Sequence, residues 1–209
     1  MIHLKKNYEE KTIPHFLNER GYKNRLAIPR IRKVTLNTGI GSLMKSDSNP
    51  KELTGEAPLK RGEARKVGPE KLVPLETLKQ EVALVTGQKP VETKSKKSVA
   101  GFGTRKGQTL GVKVTLRGKK MIDFLEHLLN FALPRTRDFA GIPLTSFDEK
   151  GNLTIGIKEH TVFPEVGTGE YGQKVKKIFG FEVTITTDAR SREEGIALLT
   201  TLGFPLERK

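Results

Sequence analysis

The sequence of 209 residues contains no cysteine and no tryptophan, and aromatic residues make up only 6% of it. The lack of cysteine excludes disulfide bonds and thiolate metal sites, as suits a reducing compartment. No stretch approaches the roughly 18 consecutive apolar residues of a membrane helix. The N-terminal MIHLKKNYEE also lacks the apolar segment of a secretory signal. We therefore expect a cytoplasmic protein with a modest core and no membrane partner.

Acidic residues are few relative to basic ones, 24 against 38, and the formal net charge is +14. Half of this excess lies in residues 88–118, QKPVETKSKKSVAGFGTRKGQTLGVKVTLRG, where Glu92 is the only acid. Such a concentration of positive charge favours a polyanionic partner, and nucleic acid fits it best. The basic residues of this segment are Lys89, Lys94, Lys96, Lys97, Arg105, Lys106, Lys113 and Arg117.

Strict alternation of apolar and polar residues over 109–117 predicts a half-buried strand. The apolar side consists of Leu110, Val112, Val114 and Leu116. The polar side consists of Thr109, Gly111, Lys113, Thr115 and Arg117. The segments 33–37, 153–157 and 181–185 alternate in the same way and predict further strands, each with one polar face.

Helical spacing of apolar residues predicts helices over 3–20, 75–85 and 119–133, with Gly21, Gly87 and Pro134 as their ends. The first of them is interrupted or started at Pro14. Ser191 and Glu194 form an S-x-x-E capping box ahead of a last helix, which Gly203 ends. Strands with one apolar and one polar face favour an antiparallel sheet covered on one side. The fold class predicted is therefore α+β, a two-layer sandwich with a mainly antiparallel sheet, helices on one face and the polar face free for RNA.

Residues 42–70 differ from the rest in having six Gly and Pro residues, no aromatic residue and mixed charges. Such a segment cannot bury enough apolar surface to offset the entropy lost on ordering. We interpret it as a mobile insertion, most clearly at 44–70, within a single domain spanning 1–209. An alternative is a basic tail that orders on RNA.

The glycine-rich segment Gly101–Gly107 invites comparison with phosphate-binding loops. It lacks the G-x-x-x-x-G-K-[ST] pattern, and it precedes a strand, whereas a phosphate loop opens a helix. We predict a flexible hairpin tip at 99–107. Phe102, among the cations of that tip, either stacks on a base or folds back onto the core. Asn37 and Thr115 project from the polar sides of their strands, where such groups can hydrogen-bond sugar or phosphate.

Five segments carry a family resemblance: IPRIRKVTLNTGIG (28–41), TGQKPVETKSKKSVAGF (86–102), GVKVTLRGKKMIDFLEHLLNFALPRTRDFAGI (111–142), GNLTIGIKEHTVFPE (151–165) and FEVTITTDARSREEGIALLTTLGFP (181–205). They resemble, in order and over about four fifths of the chain, the bacterial-type universal ribosomal protein L-five family. These motifs are long and specific.

The resemblance implies a non-enzymatic structural constituent of the large ribosomal subunit, without a cofactor, in a bacterial cytoplasm more readily than in an organelle. Its partners would be 5S rRNA, 23S rRNA in the central protuberance, peptidyl-site tRNA, neighbouring large-subunit proteins and a small-subunit head protein in an intersubunit bridge. The rRNA-binding residues would be Asn37, Gln88, Lys89, Lys94, Lys96, Lys97, Ser98, Lys113, Thr115 and Arg117. The tRNA-contact loop would be Gly101, Phe102, Gly103, Thr104, Arg105 and Lys106.

The sequence departs from the family pattern in two places. Residues 44–70 look like an insertion between the GIG turn and the next helix. Gly103 stands where members often carry a basic residue, so the charge of the loop moves to Arg105 and Lys106. Two other function classes stay open beside the leading one. They are a general basic RNA chaperone and a nucleotide-dependent RNA-modifying enzyme that uses the Gly101–Gly107 loop.

Overall fold

A five-stranded antiparallel sheet organises the residues that the computed structural model describes, namely 1–40, 75–102, 104–137, 139–167 and 178–207. Its strands are β1 (Ile31–Gly39), β2 (Val91–Lys94), β3 (Thr109–Leu116), β4 (Leu153–Ile157) and β5 (Phe181–Thr187). They lie in the order β2-β3-β1-β5-β4, and every neighbouring pair is antiparallel. The insertion predicted at 44–70 lies outside the described residues.

Four helices accompany the sheet in the described part of the chain, apart from shorter helical turns. They are α1 (α-helical Leu4–Asn7, π-helical Tyr8–Thr12, α-helical Ile13–Asn18), α2 (Leu75–Thr86), α3 (Gly118–His127, then π-helical Leu128–Ala132 and α-helical Leu133–Arg135) and α4 (Arg192–Leu202). The predicted α+β fold with a mainly antiparallel sheet is confirmed. The shorter turns are Arg25–Ala27, Ala100–Phe102, Leu144–Ser146, His160–Val162 and Pro164–Gly167.

Both helices that contain a proline change to a π-helical turn before it. In α1 the π segment ends at Thr12 and Pro14 follows, and in α3 it ends at Ala132 and Pro134 follows. Proline has no N–H, and its ring clashes with the carbonyl four residues earlier in a regular α-helix. A wider turn is one way a helix accommodates such a conflict. Pro134 therefore does not stop the helix itself, which ends one residue later at Arg135.

The core lies between the helices and one face of the sheet. On β1, Val34 and Leu36 are buried, while Thr35 between them is half-buried and Asn37 is exposed. The same alternation holds in β4 and β5. Each fully buried aliphatic side chain stabilises the fold by about 1.5–3 kcal/mol. The helices contribute the buried residues Leu4, Phe16, Leu78, Val82, Phe124, Leu125, Leu128, Leu198, Leu199 and Leu202.

Helix α2 is held by a buried polar contact as well as by its apolar side chains. Nε2 of His160 lies 3.4 Å from a carboxylate oxygen of Glu81, and both residues are buried. The His160 ring stacks on Phe179 at 3.9 Å, and its Nδ1 accepts a hydrogen bond from the Phe179 amide. Lys120 of α3 also donates to the carbonyl of Gly87, just after α2. The contact at Glu81 thus lies in the middle of α2, and the Lys120 bond lies at its end, from which the chain enters β2.

The start of α4 is set by a capping box and a close backbone approach. The Ser191 hydroxyl accepts a hydrogen bond from the Glu194 amide, as predicted, while the Glu194 carboxylate accepts one from the Arg190 amide. One turn into the helix, Gly195 packs directly against Gly151, whose φ is +75°. A Cβ added at Gly195 would lie 2.4 Å from the Gly151 Cα. Only glycine allows the turn before β4 to approach α4 this closely.

We predict that Gly195→Ala lowers the free energy of unfolding by about 1–3 kcal/mol, because the backbone of the 151 turn must move away. In an unconstrained helix the same change would stabilise by about 0.5–1 kcal/mol, so the sign is diagnostic. Urea unfolding monitored by circular dichroism measures the effect. Gly156→Ala is the control, since a Cβ there meets no atom within 4 Å. A stability gain at Gly195 would contradict the close approach.

Candidate nucleic-acid interface

The face of the sheet opposite the helices, called the open face below, presents its side chains in rows across the strands. Strand register aligns one residue from each of the five strands in a central row. Neighbouring strands lie about 4.8 Å apart, so this row spans roughly 20 Å. In spatial order it consists of Val91, Lys113, Asn37, Glu182 and Gly156.

A second row, one step along the strands, consists only of threonines. Thr115, Thr35, Thr184 and Thr154 are paired in succession across β3, β1, β5 and β4. All four are half-buried. A hydroxyl both donates and accepts a hydrogen bond, so the row offers a line of neutral groups about 5 Å apart. Such a row of hydroxyls suits sugar hydroxyls or phosphate oxygens.

The predicted basic residues divide between the open face and its β2 edge. Lys113 lies in the central row, and Arg117 follows two residues beyond Thr115 in extended conformation. The other cations lie along β2 and the hairpin that continues it. All are exposed, and within the described residues none forms an ion pair with a carboxylate. The edge residues are Lys89, Lys94, Lys96, Lys97, Arg105 and Lys106.

The structure brings together the three polar residues that the family resemblance singled out. Nε2 of Gln88 donates a hydrogen bond to the backbone carbonyl of Thr115 at 3.2 Å. Thr115 lies in the threonine row, and Asn37 is paired with Lys113 in the adjacent row. Asn37 is exposed, whereas Gln88 and Thr115 are half-buried. An amide, a hydroxyl and a cation thus lie on neighbouring strands near the β2 edge.

Glu92, the one acid of the basic segment, points away from the open face. Its carboxylate lies 2.6 Å from Nζ of Lys79 on α2 and accepts a hydrogen bond from the Thr109 hydroxyl. The hydrogen bonds from Lys79 and Thr109 hold the pKa of the Glu92 carboxyl below its usual range. The bonds to Glu92 and then Glu76 raise the pKa of Lys79. The acid is therefore neutralised from outside the segment, whose own cations stay available.

The contact of Thr109 with Glu92 corrects one detail of the predicted alternation. The pattern placed Thr109 on the polar face with Lys113 and Thr115. In the structure the register between β2 and β3 shifts between Thr93 and Lys94, so that Lys94 pairs with Thr109. This irregularity turns the Thr109 hydroxyl toward Glu92, which pairs with the buried Val112. A bulge of this kind is invisible to a period-two pattern.

Backbone amides of the hairpin tip form hydrogen bonds within the hairpin itself. The amides of residues 104–108 donate in turn to the Val99 carbonyl, Gln108 Oε1, the Ser98 hydroxyl, the Ser95 carbonyl and the Arg105 carbonyl. A phosphate cradle requires a run of free N–H groups, which these residues do not offer. The loop from Gly101 to Lys106 instead presents Arg105 and Lys106 outward, and Ser98 acts as a structural tie. Gly103 and the side chain of Phe102 lie outside the described residues.

Sequence reasoning missed several residues that lie on the open face. Thr35, Thr184 and Thr154 complete the threonine row, and Glu182 places a carboxylate beside Asn37. Val91 exposes 65% of its surface at the edge of the central row. The alternating patterns KVTLN, NLTIGI and FEVTITT predicted that these polar residues face outward. Only the strand order, which the patterns do not contain, places them in rows with Asn37 and Thr115.

Within the described residues, no three His, Asp or Glu side chains are grouped so that they could hold a metal ion. Nor does any helix of that part of the chain have the length and apolarity needed to cross a bilayer.

Comparisons with known proteins show which family the sequence resembles. The model for the C-terminus of the ribosomal L-five family matches residues 109–206. Large ribosomal subunit protein uL5 of Mesoplasma florum is 42% identical over 205 residues, covering 98% of both chains. That of Thermoanaerobacter sp. is 38% identical over 208 residues, covering 100% of both. Protein uL5c of Rhodomonas salina is 41% identical and covers 97% of this chain and 96% of its own.

These similarities extend over nearly the whole chain and connect it with proteins of the ribosome. The chain belongs to the uL5 family of large ribosomal subunit proteins.

We predict that Lys79→Met raises the pKa of the Glu92 carboxyl toward its ordinary value, since Lys79 is the main cause of the shift. Carbon-detected NMR titration of the Glu92 carboxyl measures this directly. A lowered pKa stabilises the fold above the unfolded-state pKa, and this contribution is lost as pH falls through the folded-state pKa. The variant should therefore show a weaker loss of stability in that acidic range.

Lys79→Arg is the matched control, because it keeps a cation beside Glu92. An unchanged Glu92 titration in the Lys79→Met variant would mean that the pair does not persist in solution.

Proposed function

We propose that this chain is a structural, non-enzymatic constituent of the large ribosomal subunit that binds 5S rRNA through its open face. The support is family membership together with one observation: a polar sheet face adjoins an edge of exposed cations that form no ion pair among the described residues. Polyanion binding needs such cations, and register needs neutral hydrogen-bonding groups beside them. Both are present on neighbouring strands.

The division of labour follows from side-chain chemistry. Lys89, Lys94, Lys96, Lys97, Lys113 and Arg117 neutralise phosphates and release counterions. Asn37, Gln88 and Thr115 fix the register of the RNA on the sheet by directional hydrogen bonds. If roughly six phosphates are neutralised, the logarithm of the binding constant falls with the logarithm of salt concentration at a slope of about −4 to −5.

The same role extends to other partners that the family resemblance suggests. The chain would help to attach 5S rRNA to 23S rRNA in the central protuberance, as a single domain working on the ribosome. The 99–107 hairpin, with Arg105 and Lys106 exposed, would reach toward peptidyl-site tRNA. Neighbouring large-subunit proteins and a small-subunit head protein would complete its contacts.

Competition separates this proposal from the general RNA chaperone. In a gel shift at near-physiological salt, 5S rRNA should stay bound in the presence of excess transfer RNA. If excess transfer RNA displaced the 5S rRNA, the basic edge would be a general polyanion-binding surface. The amides of residues 104–108, which all donate within the hairpin, argue against a nucleotide-dependent enzyme.

We predict that Lys97→Ala weakens binding to all RNAs and flattens the salt slope by about one unit, because one phosphate contact is lost. Titrations across a salt series measure both effects. Lys11→Ala also removes an exposed charge, but from α1 in the helical layer, and should leave the slope unchanged. Equal effects of the two variants would show that total charge matters and not the hairpin edge.

Thr115→Val should behave differently, since it replaces a hydroxyl by a methyl of similar size without changing charge. We expect affinity for 5S rRNA to fall by about 1 kcal/mol while the salt slope stays constant. The same salt series measures it. Thr154→Val, at the far end of the threonine row, tests how far the contact extends along the row. If Thr115→Val bound 5S rRNA as tightly as the wild-type protein does, Thr115 would not be part of the binding site.

A further inference from the structure

The central row contains one group that RNA phosphates should repel. Glu182 is exposed on the open face, directly paired with Asn37 on β1 and with Gly156 on β4. Directly opposed residues in antiparallel strands have their Cβ atoms about 5 Å apart, so the carboxylate lies beside the Asn37 amide. Lys113 is two strands away, about 10 Å between Cα atoms.

Nothing on the described surface neutralises this carboxylate. No ion pair joins Glu182 to a cation among the described residues. Glu92, by contrast, faces the helical side of the same sheet and forms an ion pair with Lys79. The acid that faces the helices is paired, whereas the acid that faces outward beside Asn37 has no cationic partner in the described part of the chain.

The neighbouring strand leaves room next to Glu182. Gly156 is exposed, and a Cβ added there would meet no atom within 4 Å. Its partner position across the sheet therefore carries no side chain that could cover the carboxylate. A planar group could lie over Gly156 and still reach Glu182 and Asn37 from the same side.

Chemistry limits what such a carboxylate can bind on an RNA surface. An ionised carboxylate can only accept hydrogen bonds. Ionised phosphate oxygens are also acceptors, so they cannot donate a hydrogen bond to it. The Watson–Crick edge of an unpaired guanine presents two adjacent donors, the N1 imino and N2 amino groups, which match the two carboxylate oxygens. Sequence-specific RNA recognition proceeds mostly through such edges of unpaired bases.

We propose that Glu182 reads the Watson–Crick edge of an unpaired guanine in the bound RNA, with Asn37 beside it and the base lying over Gly156. This rests on the proposed function, because it requires RNA on the open face. Glu182 is then a specificity residue, and the cations of the β2 edge supply the attraction that offsets its charge.

The substitution Glu182→Gln tests this by the sign of its effect. Losing a negative charge should by itself strengthen RNA binding slightly. If Glu182 accepts two base hydrogen bonds, the variant should instead bind 5S rRNA roughly tenfold more weakly, since one acceptor becomes a donor. Its affinity for random-sequence RNA should stay constant or rise up to about threefold. Circular dichroism confirms that the variant is folded.

Glu9→Gln is the charge-matched control, because Glu9 is exposed on α1, in the helical layer. It should leave the ratio of specific to random RNA binding unchanged. Tighter or equal binding of 5S rRNA by Glu182→Gln would overturn the inference. Failure of the wild-type protein to prefer 5S rRNA would instead overturn the proposed function.

Replacement of single unpaired guanosines by inosine identifies the base, because inosine lacks the N2 amino group. One inosine substitution should weaken wild-type binding while having little effect on the Glu182→Gln variant, as a double-mutant cycle requires for a direct contact. If no guanosine is coupled to Glu182 in this way, the carboxylate accepts from another donor, such as a ribose hydroxyl. That outcome would refute base reading.

Discussion

The pairing of β1 with both β3 and β5 is the constraint on which the rest of this structure depends. A strand presents alternate residues to opposite faces, so a shift of one residue would exchange the two faces of the sheet. Burial of Val34 and Leu36 against the helices fixes the register of β1. The same register places Asn37 beside Lys113 on one side and Glu182 on the other. The apolar core thus determines the composition of the open face without contacting it.

The fold was largely predictable because its signals are local. Alternation in 33–37, 153–157 and 181–185 and the capping box at Ser191 report backbone geometry within a few residues. What could not be predicted was non-local. The order of the strands is set by which apolar surfaces pack together, and no period in the sequence records that Thr35 lies between Thr115 and Thr184. The bulge near Lys94, which turns Thr109 inward, likewise depends on the pairing of β2 with β3.

The residues of the candidate site likewise fall into those that local sequence predicts and those that only the tertiary structure identifies. The hairpin cations were evident from composition, since a local excess of charge needs no tertiary information. Asn37 and Thr115 followed from strand alternation as well as from the family resemblance, and Gln88 followed from the resemblance alone. In the structure, Gln88 donates a hydrogen bond to the Thr115 carbonyl. Glu182 escaped notice because in FEVTITT it reads as an ordinary solvated residue. The role proposed for it depends on its neighbours on β1 and β4, and only the structure identifies those neighbours.

Charge on this molecule is arranged asymmetrically, and the asymmetry has a physical use. Cations at an exposed edge attract any polyanion and discriminate little, because Coulomb attraction is long-ranged and insensitive to orientation. Hydroxyls and amides on a rigid sheet act only at contact distance and at defined angles. A carboxylate among them adds a cost for every ligand that presents phosphate at that point. A surface built from these three kinds of group gains selectivity because different side chains supply the long-range attraction and the discrimination at contact distance.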